Sequence, residues 1–111
     1  MIRVASDGDN HYDFWLGLAG DETGKTGLWH SSGGRPRKNQ HVPVRVAAGD
    51  WIDVRAIVTG RYVRVECAGQ SCQMPTRLST GPDAKRSYGL ITRQKSRAEF
   101  EDLRIRILRE Q

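Results

Sequence analysis

The segment GDWIDVRAIVTGRYVRVECAG, residues 49–69, constrains the fold of this chain more than any other feature. Apolar residues alternate with polar ones on both sides of Thr59-Gly60, which is typical of β-strands with one buried face. If Thr59-Gly60 is a two-residue hairpin turn, Val54 lies opposite Val65 and both apolar sets share one side. The predicted strands of this antiparallel hairpin are 51–58 and 61–67.

The other side of the predicted hairpin is charged. In the same register Asp53 faces Glu66 and Arg55 faces Arg64, so that unlike charges meet only on the diagonals. Such a face is either solvated or contacts a ligand, and both interpretations stay open. These four residues are therefore candidate ligand-binding residues.

Strand-like alternation recurs elsewhere, and no segment has the periodicity of an amphipathic helix. Residues 12–19 are predicted as a strand in which Tyr12, Phe14, Leu16 and Leu18 form the core face and Asp13, Trp15, Gly17 and Ala19 form the other. After the turn-like GDETGKTG, the segment GLWHS (27–31) is predicted as a short strand.

Two segments are predicted to be irregular. SSGGRPRKNQ, residues 31–40, is predicted as the largest loop, because its Gly and Pro residues break regular structure and its basic residues keep it solvated. SCQMPTRLSTGPDAKR, residues 71–86, is also predicted to lack a strand. Residues 88–93 and 98–108 are predicted as a closing strand pair, with a β-bulge near Glu101-Asp102.

Length and composition bound the organisation of the chain. At 111 residues it is long enough for one buried core, so we predict a single domain over residues 1–111. No apolar run approaches the roughly 20 residues of a membrane helix, and the first residues lack the pattern of a signal peptide. The expected fold is all-β, an antiparallel two-sheet sandwich.

The motifs of the chain resemble those of a known family. TG, a loop and GDWIDVRAIVTGRYVRVECAG are similar to the centre of the 3-keto-disaccharide hydrolase domain family, in the concanavalin A-like lectin/glucanase superfamily. YGLI and AEFEDLRIRIL are similar to its ending, with Phe100, Leu103, Ile105 and Leu108 at matching positions. The chain departs from the family pattern at Asp13, where Glu is usual, at Ala68, where Asn is usual, and in lacking the upstream strand.

The resemblance implies a fold and an association with carbohydrate. The implied fold is a concanavalin A-like jelly roll, small or truncated here. Because most of the matched residues maintain the fold, the resemblance does not transfer a catalytic residue. It also suggests an extracytoplasmic location, although this chain shows no signal peptide.

Carboxylates are the first candidates for chemistry. Glycoside hydrolysis normally needs two carboxylates flanking the scissile bond. Asp13, Asp53 and Glu66 could supply them in a cleft, or each could be a solvated sheet residue. We predict no catalytic residue, and any activity would be glycoside hydrolase-like.

Sugar binding needs only exposed aromatic rings and polar side chains that contact hydroxyl groups. Trp15 and Trp29 fit this need, because both lie on the face opposite their apolar neighbours and their strands could pair across the GDETGKTG turn. Asp13 shares the non-core face of its strand with Trp15. Alternatively, one or both rings pack under a loop or against a missing strand. Trp51 is predicted to be structural.

Cys67 and Cys72 could form a disulfide in an oxidising compartment. Alternatively, Cys67 is a core thiol at a strand end and Cys72 lies in a loop. No metal site and no cofactor are predicted, because the histidines lack paired ligand spacing and Asp7–Asn10 is better explained as a turn than as a calcium loop.

The net charge of +5 comes mostly from arginine, which raises the question of a polyanion partner. The basic residues are spread over strands and loops without a nucleic-acid-binding signature, which argues against nucleic acid. Our hypothesis is a carbohydrate-associated sandwich that binds a glycan rather than cleaves it. The alternative is a structural or protein-interaction module of a larger assembly.

Overall fold

The computed structural model describes residues 1–20, 24–47, 49–76 and 87–90, the last four in backbone only. These residues form strands and turns and no helix, so none of them belongs to a helix that could cross a membrane. The all-β prediction is confirmed. The strands are β1 (Ile2–Ser6), β2 (Asn10–Trp15), β3 (Thr26–Ser32), β4 (Arg35–Val42), β5 (Val54–Val58), β6 (Tyr62–Cys67), β7 (Gln70–Pro75) and β8 (Ser87–Leu90).

The strands form two antiparallel sheets that pack face to face. One sheet has the order β4-β3-β2-β1-β8 and the other the order β5-β6-β7. Both contribute to a single buried cluster because alternate residues of β2, β3, β6 and β7 point inward. The largest fully buried apolar side chains include Tyr12, Phe14 and Leu28 from the first sheet and Val63 and Val65 from the second. The predicted two-sheet sandwich is therefore confirmed.

The prediction of a long loop over 31–40 is wrong, because this segment contains the β3–β4 hairpin. Ser32 pairs with Arg35 around Gly33-Gly34, whose φ angles are 59° and 76°. Two successive positive φ angles are those of a type I′ turn, which glycine adopts without steric cost. β4 is an exposed edge strand in the described sheet, and its Pro and basic residues disfavour pairing with another chain.

The prediction that residues 71–86 lack a strand is also wrong at its start, where β7 begins. Cys67 pairs with Gln70 around Ala68-Gly69, which have φ angles of 49° and 76°. This is again a type I′ turn, here with a non-glycine residue in the left-handed region. β7 consequently continues the β5–β6 hairpin into a three-stranded sheet.

The predicted register of the β5–β6 hairpin is wrong by two residues, while its faces are correct. Val58 pairs with Val63 and Val54 with Cys67, so the turn is centred on Gly60-Arg61. The Thr59 hydroxyl accepts hydrogen bonds from the amides of Arg61 and Tyr62, both at 3.0 Å, and this moves the turn one residue along the chain. A shift of two keeps every side chain on its predicted face.

Two predicted strands are shorter in the structure. β2 ends at Trp15 rather than at residue 19, because the Gly17 amide leaves the ladder and donates to the buried Thr26 hydroxyl at 2.8 Å. As a result Leu18 is 51% exposed rather than in the core. The strand predicted from residue 51 begins at Val54.

The closing pair is described only in part. β8 overlaps the strand predicted over residues 88–93 and begins one residue earlier, at Ser87. It pairs with β1. The strand predicted over 98–108 and its bulge near Glu101-Asp102 lie outside the described residues.

Gln40 joins the two sheets at their edge. Its side-chain amide nitrogen donates to the Gln73 carbonyl oxygen, and its Oε1 accepts from the Gln73 amide at 3.0 Å. One side chain on β4 thus satisfies both backbone groups of a residue on β7. This pair of hydrogen bonds holds the edges of the sandwich together, where none of the eight described strands passes from one sheet to the other.

Substituting Gln40→Glu tests this bridge. The carboxylate keeps an acceptor for the Gln73 amide but loses the donor and faces the Gln73 carbonyl oxygen. We expect the free energy of unfolding, measured by urea denaturation, to fall by about 1 kcal/mol. Asn39→Asp makes the same chemical change on the other face of β4 and should cost less than about 0.5 kcal/mol. Equal losses in the two variants would contradict the bridge.

Candidate functional site

The structure places Asp13, Trp15 and Trp29 on one surface, the outward side of β2 and β3. Tyr12 and Phe14 point into the core, so the alternate residues Asp13 and Trp15 point away from it. Trp29 lies directly opposite Asp13 in the β2–β3 ladder. The three residues therefore share the outward side of these strands.

The two tryptophans belong to a ring cluster that extends to β4. The Trp15 and Trp29 ring centroids are 6.3 Å apart in an edge-to-face arrangement, and the Trp29 and His41 rings are 4.9 Å apart. Both indoles are half-buried and His41 is exposed. We call this surface, Trp15, Trp29 and His41 with the polar residues beside them, the tryptophan face.

Gly27 lies in the middle of the tryptophan face. It pairs with Trp15 on one side and with His41 on the other, so the row between these rings lacks a central side chain. A Cβ atom there would collide with the Gln40 carbonyl oxygen and lie 3.0 Å from the His41 ring. Glycine at this position therefore permits the close approach of β3 and β4, and Gly27 itself is buried beneath its neighbours.

Polar groups line the next row of the tryptophan face. Arg3 Nε donates to Asp13 Oδ1 at 3.0 Å, and a second guanidinium nitrogen lies 3.4 Å from Oδ2. This ion pair is 24% exposed at Arg3 and 13% exposed at Asp13, measured on the side chains. Trp29 and Asn39 continue the same row across β3 and β4. The row therefore offers an ion pair and an amide beside the aromatic rings.

The other candidate residues lie on the opposite side of the molecule. Arg55, Arg64 and Glu66 are on the outward side of the β5-β6-β7 sheet, where Arg55 pairs with Glu66. Arg64 contacts the Glu66 carboxylate at 3.0 Å and the Gln73 side-chain oxygen at 3.2 Å. The predicted facing of Arg55 with Arg64 is wrong, because the shifted register brings unlike charges opposite each other.

Asp53 does not lie opposite Glu66, contrary to the sequence prediction. It is exposed and precedes β5, and the observed register does not bring it opposite Glu66. Asp13 and Glu66 point outward from different sheets, separated by the thickness of the sandwich. They therefore cannot flank one glycosidic bond.

Trp51 differs from the other two tryptophans. It is 63% exposed and lies before β5, so the prediction of a structural, packed Trp51 is wrong. The apolar positions that carry packing in this part of the chain are Ile52 and Val54, which lie against the core.

Asp7 closes the β1–β2 turn, as the sequence predicted for Asp7–Asn10. Its Oδ1 accepts from the amides of Asp9 and Asn10 at 3.0 and 2.6 Å, and its Oδ2 accepts from the Asn10 side chain at 3.2 Å. Across the described part of the chain, no three His, Cys, Asp or Glu side chains are grouped so that they could hold a metal ion.

Ser6 and His11 form a close pair at the same end of the sheet. Ser6 Oγ lies 2.6 Å from His11 Nδ1, the composition of a nucleophile and its base. However, the same Oγ accepts the Gly8 amide at 3.1 Å, and Ser6 is only 3% exposed. The pair therefore stabilises the turn and is not accessible to a substrate.

Cys67 and Cys72 are buried free thiols on the inward face of the β6–β7 hairpin. Cys72 lies in β7 opposite Val65, not in a loop, so the alternative that placed it in a loop is wrong. Cys67 ends β6 and is part of the core, as that alternative expected. The two cysteines are diagonal neighbours across the hairpin, and a disulfide between them stays a prediction.

Burial raises the pKa of both thiols. For Cys67 the nearby Cys72 adds to this effect, and for Cys72 a backbone hydrogen bond at Leu28 opposes it. Cys72 Sγ also donates to the Gln40 carbonyl oxygen at 3.5 Å. Both cysteines are therefore protonated core residues at neutral pH rather than nucleophiles.

Several residues of the candidate site were missed by the sequence analysis. Arg3, Asn39 and His41 join the tryptophan face only through strand pairing, and β4 had been predicted as a loop. The Gly-Gly pair at 33–34 between two polar segments was the available signal for this hairpin. Arg3 had no comparable signal, because its partner Asp13 is ten residues away in sequence.

Comparison of this chain with protein-family models, curated proteins and solved structures gives no match. The geometry of the tryptophan face is therefore the basis for assigning a function.

The raised thiol pKa values predict a pH dependence of stability. Above the unfolded thiol pKa of about 9.0 the unfolded chain loses its thiol protons more readily than the folded protein does. The thiol contribution is thus complete below this pH and is lost as pH rises beyond it. We expect the free energy of unfolding to fall more steeply above about pH 9 in the parent than in Cys67→Ala/Cys72→Ala.

Urea denaturation at a series of pH values measures this difference. Tyrosine and lysine also titrate in this range, but they are common to both proteins and do not affect the comparison of slopes. Identical slopes in the parent and the double variant would show that the thiols titrate alike in the folded and unfolded states.

Proposed function

We propose that this protein is a carbohydrate-binding β-sandwich whose tryptophan face contacts the sugar. The observation that carries this proposal is the cluster of Trp15, Trp29 and His41 on the outward side of β2, β3 and β4. A contiguous apolar patch that is rimmed by polar residues is typical of a ligand-binding surface. A pyranose ring has such faces.

The arrangement of the rings supports contact with a sugar. Trp15 and Trp29 are nearly perpendicular, with an interplanar angle of 71°, so they form a corner rather than a flat stack. Gly27 adds no side chain between Trp15 and His41 in the adjacent row. A sugar ring seated against the corner of the two indoles contacts an indole while its edge remains open to polar groups.

The neighbouring polar groups suit the hydroxyl groups of a sugar. The Arg3–Asp13 ion pair offers both donors and acceptors, and the Asn39 side chain offers N–H donors and a carbonyl acceptor. Both charges of the ion pair are already partnered, so a neutral ligand does not leave either of them uncompensated. These features favour a neutral oligosaccharide on the tryptophan face.

The same charges argue for binding rather than cleavage. A glycosidase needs one carboxyl group as an acid and a second as a base or nucleophile on the same substrate. Asp13 contacts Arg3, and Glu66 contacts Arg64 on the other sheet. Neither is placed beside a second candidate carboxylate, and we assign no catalytic residue.

The resemblance to the 3-keto-disaccharide hydrolase domain family agrees with a carbohydrate ligand. The concanavalin A-like jelly-roll topology that it implies remains a prediction beyond the antiparallel sandwich. The matching positions Phe100, Leu103, Ile105 and Leu108 lie outside the described residues.

One observation favours the alternative of a structural or protein-interaction module. Leu18 and Trp51 are large apolar residues that are 51% and 63% exposed. A protein partner that covered them would stabilise the complex by burying this apolar surface. In that case Trp51, rather than the tryptophan face, would be the contact residue.

The three tryptophans separate these functions in one experiment. A glycan array identifies the best neutral oligosaccharide, and isothermal titration calorimetry then measures its affinity for Trp15→Ala, Trp29→Ala and the matched control Trp51→Ala. We expect about a tenfold loss of affinity for each of the first two variants, equivalent to about 1.4 kcal/mol. Trp51→Ala should bind as the parent does.

Thermal unfolding of each variant controls for misfolding. A loss of binding without a matching loss of structure assigns the effect to the ring itself. The proposal fails if no glycan binds, or if Trp51→Ala weakens binding as much as Trp29→Ala does.

A further inference from the structure

A second potential site lies at one end of the sandwich, on the inward side of β3 and β4. It is an open cleft of about 380 Å³ between these strands and β7 of the other sheet. We call it the end cleft, and the lining residues used below are Asn10, His30, Arg37, Lys38, Met74 and Pro75. Its volume is within the range of small-molecule sites.

The imidazole of His30 forms the floor of the end cleft and is held in place by its neighbours. His30 is 8% exposed, and its ring is stacked on Tyr12 with a centroid distance of 4.5 Å and an interplanar angle of 7°. Its Nε2 lies 3.0 Å from Asn10 Oδ1, and the Asn10 amide nitrogen donates to Asp7. Because Oδ1 can only accept, Nε2 carries a proton in this contact. The imidazole is therefore held in one orientation.

One wall of the end cleft is apolar and anchored. Met74 is 2% exposed, and the neighbouring Pro75 carbonyl oxygen accepts the Tyr12 hydroxyl at 3.0 Å. β7 is thereby tied to β2 at the point where the cleft opens. Pro75 is exposed and provides most of the apolar surface of this wall that a ligand can contact.

The opposite wall carries two cations. Lys38 pairs with His30 in the β3–β4 ladder, and Arg37 occupies the adjacent register shift. Among the residues that the structure describes, the ion pairs are Arg3–Asp13 and Arg64–Glu66. Neither Arg37 nor Lys38 is therefore neutralised by a carboxylate of this part of the chain. Asp7 is occupied by turn amides, and the Asp9 carboxylate forms no ion pair with Arg37 or Lys38.

We propose that the end cleft binds a small molecule bearing an oxyanion group, a carboxylate, sulfate or phosphate. The oxyanion contacts Arg37 and Lys38, and the remainder of the molecule lies between His30 and the Met74–Pro75 wall. This site is separate from the tryptophan face, because it lies on the inward side of the same strands. It therefore goes beyond the proposed function and does not require it.

The test measures binding of inorganic phosphate, sulfate, glucuronate and glucose to the full chain by NMR titration at constant ionic strength. We expect the three anions to bind and glucose not to bind at this cleft, with amide shifts centred on residues 30, 37 and 38. Arg37→Gln and Lys38→Gln should each weaken anion binding by about fivefold. Arg61→Gln removes the same charge from the exposed β5–β6 turn and should have no effect.

Two results would overturn the proposal. If Arg61→Gln weakens binding as much as Lys38→Gln does, the anions respond only to net charge. If heparin or DNA binds through Arg37 and Lys38 while the small anions do not, β4 is a polyanion surface rather than a small-molecule site. Calorimetry of the neutral oligosaccharide with Lys38→Gln separates this result from a failure at the tryptophan face.

Discussion

Tyr12 is the residue on which both candidate sites depend. Its side chain is fully buried, its ring is stacked on His30 of β3, and its hydroxyl donates to the Pro75 carbonyl oxygen of β7 at 3.0 Å. A buried hydroxyl without a partner would cost about 1–3 kcal/mol, so this hydrogen bond sets the depth at which Tyr12 is held. A slip of β2 by one residue would move Tyr12 to solvent and turn Asp13 into the core.

The surfaces of the molecule follow from this orientation. With Tyr12 inward, Trp15 must point outward, and β3 then brings Trp29 beside it. On the inward side the same ring supports His30, which forms the floor of the end cleft. The two candidate sites therefore lie on opposite sides of β3 and β4, one aromatic with a neutralised ion pair and one cationic. This separation explains how a neutral and an anionic ligand could be bound independently.

The sequence predicted the strands and their faces better than it predicted the connections. Alternation placed Phe14, Val63 and Val65 in the core, because burial of one sheet face leaves a period of two in the sequence. It could not place the turn at Ala68-Gly69, since alanine gives no signal for a positive φ. Alternation also could not predict the register of β5 and β6, because the Thr59 hydroxyl accepts hydrogen bonds from the turn amides and moves the turn by one residue. The pattern alone also could not predict the contacts of Arg3 with Asp13 and of His41 with Trp29, because these residues meet only through pairing between strands.

The central claim is that the outward side of β2, β3 and β4 is the surface that contacts sugar. The most direct measurement is a ¹H–¹⁵N spectrum of the three tryptophan indoles during titration with the neutral oligosaccharide that binds best on the array. The proposal predicts saturable shifts of the Trp15 and Trp29 indole signals, accompanied by shifts of the backbone amides of Asn39 and His41, while the Trp51 signal stays in place. Shifts confined to Trp51, or to the Arg64 and Glu66 side of the molecule, would contradict the claim.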